Sequence, residues 1–346
     1  MLKTISFPEE KITMQCVYRN KPLLEELRQR AAFTAVADKV TRVYGPLVFP
    51  EQPEERPYLT GCLVMSMDGR LGFDKHPGSR MLIGANPLDP SGGMTDLWMV
   101  NLLRSYADAV LLGSGTLLDE PDFSGHIYDT SLQNFRKYHA HRYAPVPWNV
   151  VITRRPEQLP WHHPVLSTQE IPVLLVIPAD MRETLRGCPG GLFCHQIIDG
   201  NNSLTGFQED RESGRVDTGT VMRGGTDFRH LVVTLPADHF PDGKRLMGVL
   251  RELGIRQMSV ESPYWIWQFM GAGFLDEFHL TQTGVYAGGT QIPGMKELFV
   301  PGQAPVVRLA SLHLTGPSVL MSRQVFYRPG FVTDQVNNQR KEDDSC

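Results

Sequence analysis

The chain has 346 residues, of which 41% are hydrophobic and 21% charged, and its formal net charge is -4. This is ordinary globular composition, with enough chain for one large domain or two small ones, and the mildly acidic balance argues against nucleic acid as a partner. No run approaches the roughly 18 apolar residues of a membrane span, and the opening MLKTISFPEEKITMQ lacks the apolar stretch of a signal peptide. Five cysteines, Cys16, Cys62, Cys188, Cys194 and Cys346, occur without a C-x-x-C pair. That pattern reads as free thiols in a reducing compartment, so a cytoplasmic protein with no membrane partner is expected.

Residues 1–56 read as an appendage. Within it Leu23, Leu24, Leu27, Ala31, Phe33 and Val36 fall at loosely helical spacing and predict one helix over Lys21–Val40. The Pro-rich GPLVFPEQPEERP that follows cannot sustain a helix and reads as a linker. From Tyr58 the pattern alternates. Tyr58–Met67 predicts a strand ending in an Asp68-Gly69 turn, and Thr95–Ala107 a helix capped by Thr95, with Leu97, Val100, Leu103 and Ala107 inward. Ala109–Leu112, Trp148–Thr153 and Val173–Ile177 are short, almost wholly apolar runs, as expected of strands in a sheet covered on both faces.

The segment 199–229 is rich in Gly, Asn, Thr and charge and nearly empty of large apolar residues, so it reads as an inserted loop within a domain spanning 57–330. Asp242 then caps a helix whose Leu246, Val249, Leu250 and Leu253 share one face and which Gly254 ends. A strand at Gln257–Val260, a helix opened by Pro263 with Ile266, Phe269 and Met270 inward, and a strand at Glu277–Thr283 complete a clear unit. Val306–Leu314 and Ser318–Tyr327 predict a terminal hairpin, and 331–346 a polar tail. Strands alternating with helices define an α/β domain with one mainly parallel sheet.

In such a sheet ligands bind beyond the carboxyl ends of the strands, and three strand exits carry suggestive residues. Gly113-Ser114-Gly115-Thr116 offers closely approaching amides and two hydroxyls to a phosphate, or serves only as a turn. Glu261-Ser262-Pro263-Tyr264-Trp265 opens a helix, whose first N–H groups suit a pyrophosphate; equally, Ser262 could simply cap it. Thr153-Arg154-Arg155 could hold a phosphate monoester such as the 2′-phosphate of NADPH, or lie solvated on the surface. The pairs His139/His141 and His162/His163 lack zinc-site spacing, so no metal is expected, and neither a G-x-S-x-G elbow nor a cysteine nucleophile motif is present.

The succession RPYLTGCLVMSMDGRLG, ADAVLLGSGTLLDEPDF, NVVITRRPEQLP and LRELGIRQMSVESPYWIWQFMGAGFLDEFHLTQ resembles the riboflavin-biosynthesis reductase family, over roughly Arg56–Arg328. The resemblance implies a dihydrofolate reductase-like fold: a twisted, mainly parallel sheet with helices on both faces and a C-terminal antiparallel hairpin, commonly in a homodimer. It also implies NADPH across the strand ends, with its pyrophosphate on Gly113–Thr116 and the helix after Glu261 and its 2′-phosphate near Thr153, Arg154 and Arg155. A small-molecule substrate would lie over the nicotinamide, against Ser66, Asp68 and the Asp119–Pro121 turn, with Asp119 and Glu261 as the catalytic candidates. Hydride transfer of this kind needs chiefly positioning and a dry pocket.

Four departures bear on the substrate. Cys62 stands where the family usually has lysine, Ile83 where threonine is frequent, and His126 where an arginine would clamp the substrate phosphate. Two fixed cations are thereby gone from the expected substrate site, which argues against a phosphoribosyl pyrimidine. Ser262-Pro263 replaces a Gly-Gly pair that commonly contains a cis peptide, and proline makes a cis bond cheap, so a cis Ser262–Pro263 bond is expected. The expectation is an NADPH-dependent reductase of a small heterocyclic or sugar-like substrate. The alternatives are the 5-amino-6-(5-phosphoribosylamino)uracil reductase step itself and a non-catalytic nucleotide-binding protein of the same fold.

Overall fold

The structure, a computed structural model, describes residues 2–31, 33–51, 53–138, 146–189, 194–199, 230–294 and 298–327. Residues 200–229 of the expected insertion, the 331–346 tail, His139, His141 and Cys346 lie outside the described residues. The chain opens with strand β1 (Gln15–Arg19) and helices α1 (Lys21–Gln29) and α2 (Asp38–Val43). There follow β2 (Tyr58–Ser66), α3 (Ser79–Gly84), α4 (Gly92–Tyr106), β3 (Ala109–Gly113), α5 (Ser114–Asp119), α6 (Thr130–Tyr138), β4 (Trp148–Ile152), α7 (Pro164–Ser167) and β5 (Val173–Pro178). Then come α8 (Arg182–Arg186), β6 (Cys194–Asp199), β7 (His230–Leu235), α9 (Gly243–Glu252), β8 (Gln257–Val260), α10 (Pro263–Gly271), β9 (Leu275–Thr283), β10 (Val307–Thr315) and β11 (Val319–Phe326).

The eleven strands among the described residues join one sheet in the order β1-β10-β11-β9-β2-β8-β3-β4-β5-β7-β6. From β9 to β6 every pairing is parallel; β11, β10 and β1 add an antiparallel edge, with the terminal hairpin in register from Val307–Phe326 to Thr315–Val319. Strand β8 returns late in the chain to lie between β2 and β3, pairing Tyr58 with Gln257 and Ala109 with Met258. That return reverses the winding direction and gathers the carboxyl ends of β2, β8 and β3 side by side, the crevice where an open α/β sheet binds ligands.

Helices cover both faces. On one, α9 and α10 pack Leu246, Leu250, Ile266 and Phe269 over Leu59, Leu111, Val150 and Met258. On the other, α4 and α6 meet Leu47 and Phe49 of the N-terminal segment, while Val165 of α7 and Leu185 of α8 cover Val151 and Leu175 further along. Asp242 caps α9 as expected, accepting from the Arg245 amide at 3.1 Å, and Gly254 turns the chain out at φ 85°, a left-handed conformation that suits glycine.

Two local expectations need correction. Lys21–Val40 is not one helix: Leu23 and Leu27 of α1 pack on Ala310 and Val325, whereas Val40 and Val43 of α2 enter the cluster beneath α4. The two apolar stripes serve different partners, so the chain must turn between them. Thr95 is not a helix cap; α4 begins at Gly92, and Thr95 is buried inside its first turns with its hydroxyl donating to the Ser91 carbonyl at 3.3 Å.

Candidate active-site cleft

Strands β3 and β8 lie side by side, and their chains leave the sheet together. The Glu261 amide donates to the Leu111 carbonyl at 3.0 Å, carrying the pairing one residue past β8. Beyond it, Ser262 comes so close to Gly113 that a Cβ on Gly113 would stand 2.5 Å from Ser262 Oγ. Only glycine permits this approach. Ser262 gives α10 no side-chain cap; its backbone is extended at φ -107° and ψ 121°, and Pro263 holds the first helical position. That conformation suits a residue before a trans proline. The expected cis Ser262–Pro263 bond is therefore corrected to trans, and the cis bond among the described residues is Phe240–Pro241.

The two exits wall a cleft of about 380 Å³. Gly113, Ser114, Gly115 and Thr116 form one side, and Ser262, Pro263, Tyr264 and Trp265 the other. Ser114–Asp119, expected as a loose turn, is the short helix α5. Thr153 and Arg154 close the far end, where the Arg154 guanidinium donates to the Phe240 carbonyl and sits 5.5 Å from the centre of its ring. Arg155 stands outside this lining with an exposed side chain, and its amide donates to Thr153 Oγ1 at 3.0 Å.

A second cleft, of about 360 Å³, continues from the first through Thr116, Asp119 and Pro263, which line both. Cys62 and Ile83 lie in its wall, and Glu261 at its inner end. Glu261 is held by Arg104 of α4 in a two-pronged ion pair, Nε to Oε1 at 2.8 Å and Nη2 to Oε2 at 2.6 Å. The remaining nitrogen of that guanidinium donates to the Ser124 and His126 carbonyls at 2.9 and 2.7 Å. All three nitrogens of Arg104 are thus engaged, and Glu261 is a charge-paired group of the cleft wall. Burial, with Asp96 and Glu261 nearby, pushes the Cys62 thiol up, so it stays protonated.

Asp96 of α4 lines the same cleft. Its Oδ1 receives no hydrogen bond and is closed to bulk water. Burial pushes the Asp96 carboxyl up to about 6, opposed by the nearby Thr281 hydroxyl and reinforced by Glu120 and Glu261.

Three expected substrate residues stand outside both clefts. Ser66 and Asp68 build a turn: the Ser66 hydroxyl donates to Asp68 at 2.5 Å, and Asp68 accepts the Ala287 and Gly288 amides at 3.0 and 2.8 Å. This ties the 66–70 turn to the loop after β9. His126 is buried under the N-terminal segment, its ring bonded to Ser124 Oγ at 2.7 Å and to the Lys3 carbonyl at 2.8 Å. Its place is filled by the chain's own backbone, so it cannot reach a substrate phosphate. Conversely, sequence reading passed over Asp96 and Arg104. Their signal was spacing: Asp96, Val100 and Arg104 recur every four residues, placing the two charges of α4 toward one side of the helix.

Among the described residues no group of three or more His, Cys, Asp or Glu could hold a metal ion, and no helix is long and apolar enough to cross a membrane. The family model of the RibD C-terminal domain matches residues 57–321. A pyrimidine reductase-like protein from Corynebacterium diphtheriae superposes with a TM-score of 0.52 at 17% identity, covering 84% of this chain and 98% of that one. RibD of Acinetobacter baumannii gives 0.49 at 15% identity, covering 89% of this chain and 64% of that one. The riboflavin biosynthesis reductase of Saccharomyces cerevisiae gives 0.45 at 15%, covering 79% and 90%. No curated protein matches the chain.

Proposed function

Since the chain belongs to the RibD C-terminal domain family and has its dihydrofolate reductase-like fold, we propose that it is an NADPH-dependent oxidoreductase acting on a small heterocyclic or sugar-like substrate. The observation that carries this reading is the continuity of the two clefts through Thr116, Asp119 and Pro263. An extended dinucleotide fits a groove of that form, with its phosphates where β3 and β8 end and its reactive ring toward Cys62 and Glu261.

The residues fit such a cofactor. The Gly113–Thr116 and Ser262–Trp265 walls bring backbone amides and hydroxyls to one edge, and a side chain at Gly115 would meet nothing within 4 Å, so the groove is open there. Arg154, at the far end, would pair a 2′-phosphate. When bound, the nicotinamide supplies a hydride. The chain's own part is to position and exclude water: Trp265 walls the phosphate end, Arg104 fixes Glu261, and Leu63, Val64 and Phe123 make the substrate end dry. Asp119, at the junction of the clefts, would contact the cofactor or substrate there. A homodimer, as the resemblance implies, completes the proposal and is checked by light scattering.

The phosphoribosyl pyrimidine step is disfavoured by the lining of the substrate cleft. The cation in that lining is Arg80, whose side chain is 59% exposed and lies 3.7 Å from Glu120. The decisive experiment is titration with NADPH while following tryptophan emission, since Trp265 lines the groove. Saturable quenching is expected, at least tenfold weaker with NADH, and Arg154→Ala should erase most of that preference. Absence of both quenching and a thermal shift would remove the reductase reading and leave a protein that kept the fold without the activity.

A further inference from the structure

We propose that residues 2–5 of the N-terminal segment, together with His126, form a positioning strap for the reactive end of the two clefts: they fix the 123–128 loop, through it Arg104, and through Arg104 Glu261. This rests on the reductase reading and names parts of the chain, outside the cleft walls, on which its nicotinamide end depends.

The loop has an inner and an outer side. Inward, its Ser124 and His126 carbonyls accept from Arg104 at 2.9 and 2.7 Å, and the same guanidinium grips both oxygens of Glu261. Phe123, which lines the substrate cleft, has its ring centre 4.7 Å from that guanidinium. One planar cation therefore sets loop, ring and carboxylate in a single arrangement, and the loop backbone decides where the cation sits.

Outward, the loop is held by the strap. The His126 ring meets the Lys3 carbonyl through Nε2 at 2.8 Å, and the Ile5 amide donates to the Tyr128 carbonyl at 3.0 Å, so Lys3 and Ile5 clasp the loop at two points. A carbonyl only accepts, so Nε2 carries the ring proton and Nδ1 is left to accept from Ser124 Oγ, 2.7 Å away. One neutral imidazole thus ties the strap backbone to the loop on both of its nitrogens. Ser124, His126, Ile127 and Tyr128 are buried, whereas Lys3 and Thr4 lie on the surface. The strap is moored further along by Phe7 and Ile12, both buried in the cluster beneath α4. Residues 2–5 can therefore be lost without lifting those moorings. What their loss frees is the loop, and a shift of the loop carbonyls passes through Arg104 to Glu261. The phosphate end has its own walls, Gly113–Thr116 and Ser262–Trp265.

The test uses the full chain and two ligands that share one end: NADPH, and adenosine 2′,5′-bisphosphate, which keeps the adenine and the 2′-phosphate but has no nicotinamide. Binding of each is measured calorimetrically. His126→Leu is expected to weaken NADPH at least fivefold and the bisphosphate less than twofold, because only the reactive end is mispositioned. Retained bisphosphate binding also shows that the variant is folded. His126→Gln, whose amide can still donate to the Lys3 carbonyl, should return NADPH to within twofold of wild type. Deleting residues 2–5 should reproduce the His126→Leu loss, and the two changes combined should cost no more than either alone. A second measurement needs no ligand: in the deletion variant, amide hydrogen exchange should quicken over residues 123–128 and 259–266 and stay unchanged in α9.

Equal loss of both ligands in both variants, unchanged NADPH affinity, losses that add, no recovery with His126→Gln, or unaltered exchange over 259–266 would each overturn the proposal. If the wild-type chain fails to bind NADPH, the reductase reading falls; faster exchange over 259–266 with α9 unchanged then keeps the strap, and unaltered exchange there removes it as well.

Discussion

The two faces of the sheet follow different rules. Under α9 and α10, the strands present Leu59, Leu111, Val150, Leu174 and Met258, closed over by Leu250, Ile266 and Phe269. Under α4 and the N-terminal segment, β9 and β11 present Glu277, His279, Thr281 and Arg323, all buried. The first face is held by removal of apolar surface from water, a force without direction. The second depends on matched geometry: Arg323 donates to both oxygens of Glu277 at 2.7 and 2.8 Å and to the Val48 carbonyl at 2.8 Å, and the Tyr58 hydroxyl donates to Glu277 at 2.7 Å. The polar row then runs along β9 to Thr281, whose hydroxyl lies near Asp96 in the wall of the second cleft. One face supplies the fold, and the other carries the charge that reaches the site.

That contrast makes its sharpest prediction at Glu277→Gln. The substitution leaves the Arg323 charge buried without its counter-ion, and denaturant unfolding at pH 7 should show a loss of about 3–5 kcal/mol. Burial alone would raise the Glu277 carboxyl, but Arg323, with His279, holds it down at about 2. A folded value below the unfolded one means that the stability it contributes is present above the unfolded value, near 4.5, and is lost as pH falls toward 2. The gap between wild type and Glu277→Gln should therefore narrow between pH 4.5 and pH 3. Removing both charges, as Glu277→Gln with Arg323→Met, should recover most of the loss. Equal stability of wild type and the single variant would show the polar face to be idle.

On the other face, Leu250→Ala should cost about 2–4 kcal/mol, since Leu250 is fully buried in the α9 cluster and its removal leaves a cavity. This loss should be the same at pH 7 and pH 3. A pH-dependent loss there, or a pH-independent one at Glu277, would erase the distinction between the faces.

The apolar face was also the legible one. Leu246, Val249, Leu250 and Leu253 repeat at helical spacing, Asp242 and Gly254 mark the ends, and Gln257–Val260 is a strand to the residue. The cleft between β3 and β8 was legible for a related reason: Gly113–Thr116 and Ser262–Trp265 are continuous in sequence, and strands exit there by rule. Elements that depend on distant partners were not. Four of the five residues of β1 are exposed, so no alternation marks it, and only its pairing with β10 makes it a strand. His126 matched a family position, but the N-terminal segment occupies its ring nitrogens, a contact over 123 residues of sequence that no local pattern encodes. Asp96 was hidden because α4 is buried on most sides, which blurs the stripe that would have set its charge apart.

The smallest expected effect is the most diagnostic, because it has the opposite sign. Asp96 is a place where the polar face fails to satisfy itself, so Asp96→Asn should stabilise the protein. Burial raises the folded carboxyl to about 6 from an ordinary 3.8, so the penalty is absent below the unfolded value and complete above the folded one. Discounted for the partial exposure of the residue, the shift corresponds to about 2 kcal/mol at pH 8. Thermal unfolding should therefore place Asp96→Asn above wild type at pH 8 and level with it near pH 3.5. Loss of stability at pH 8 would mean that the Asp96 carboxylate is an ordinary structural contact, and the burial penalty at this cleft would not exist.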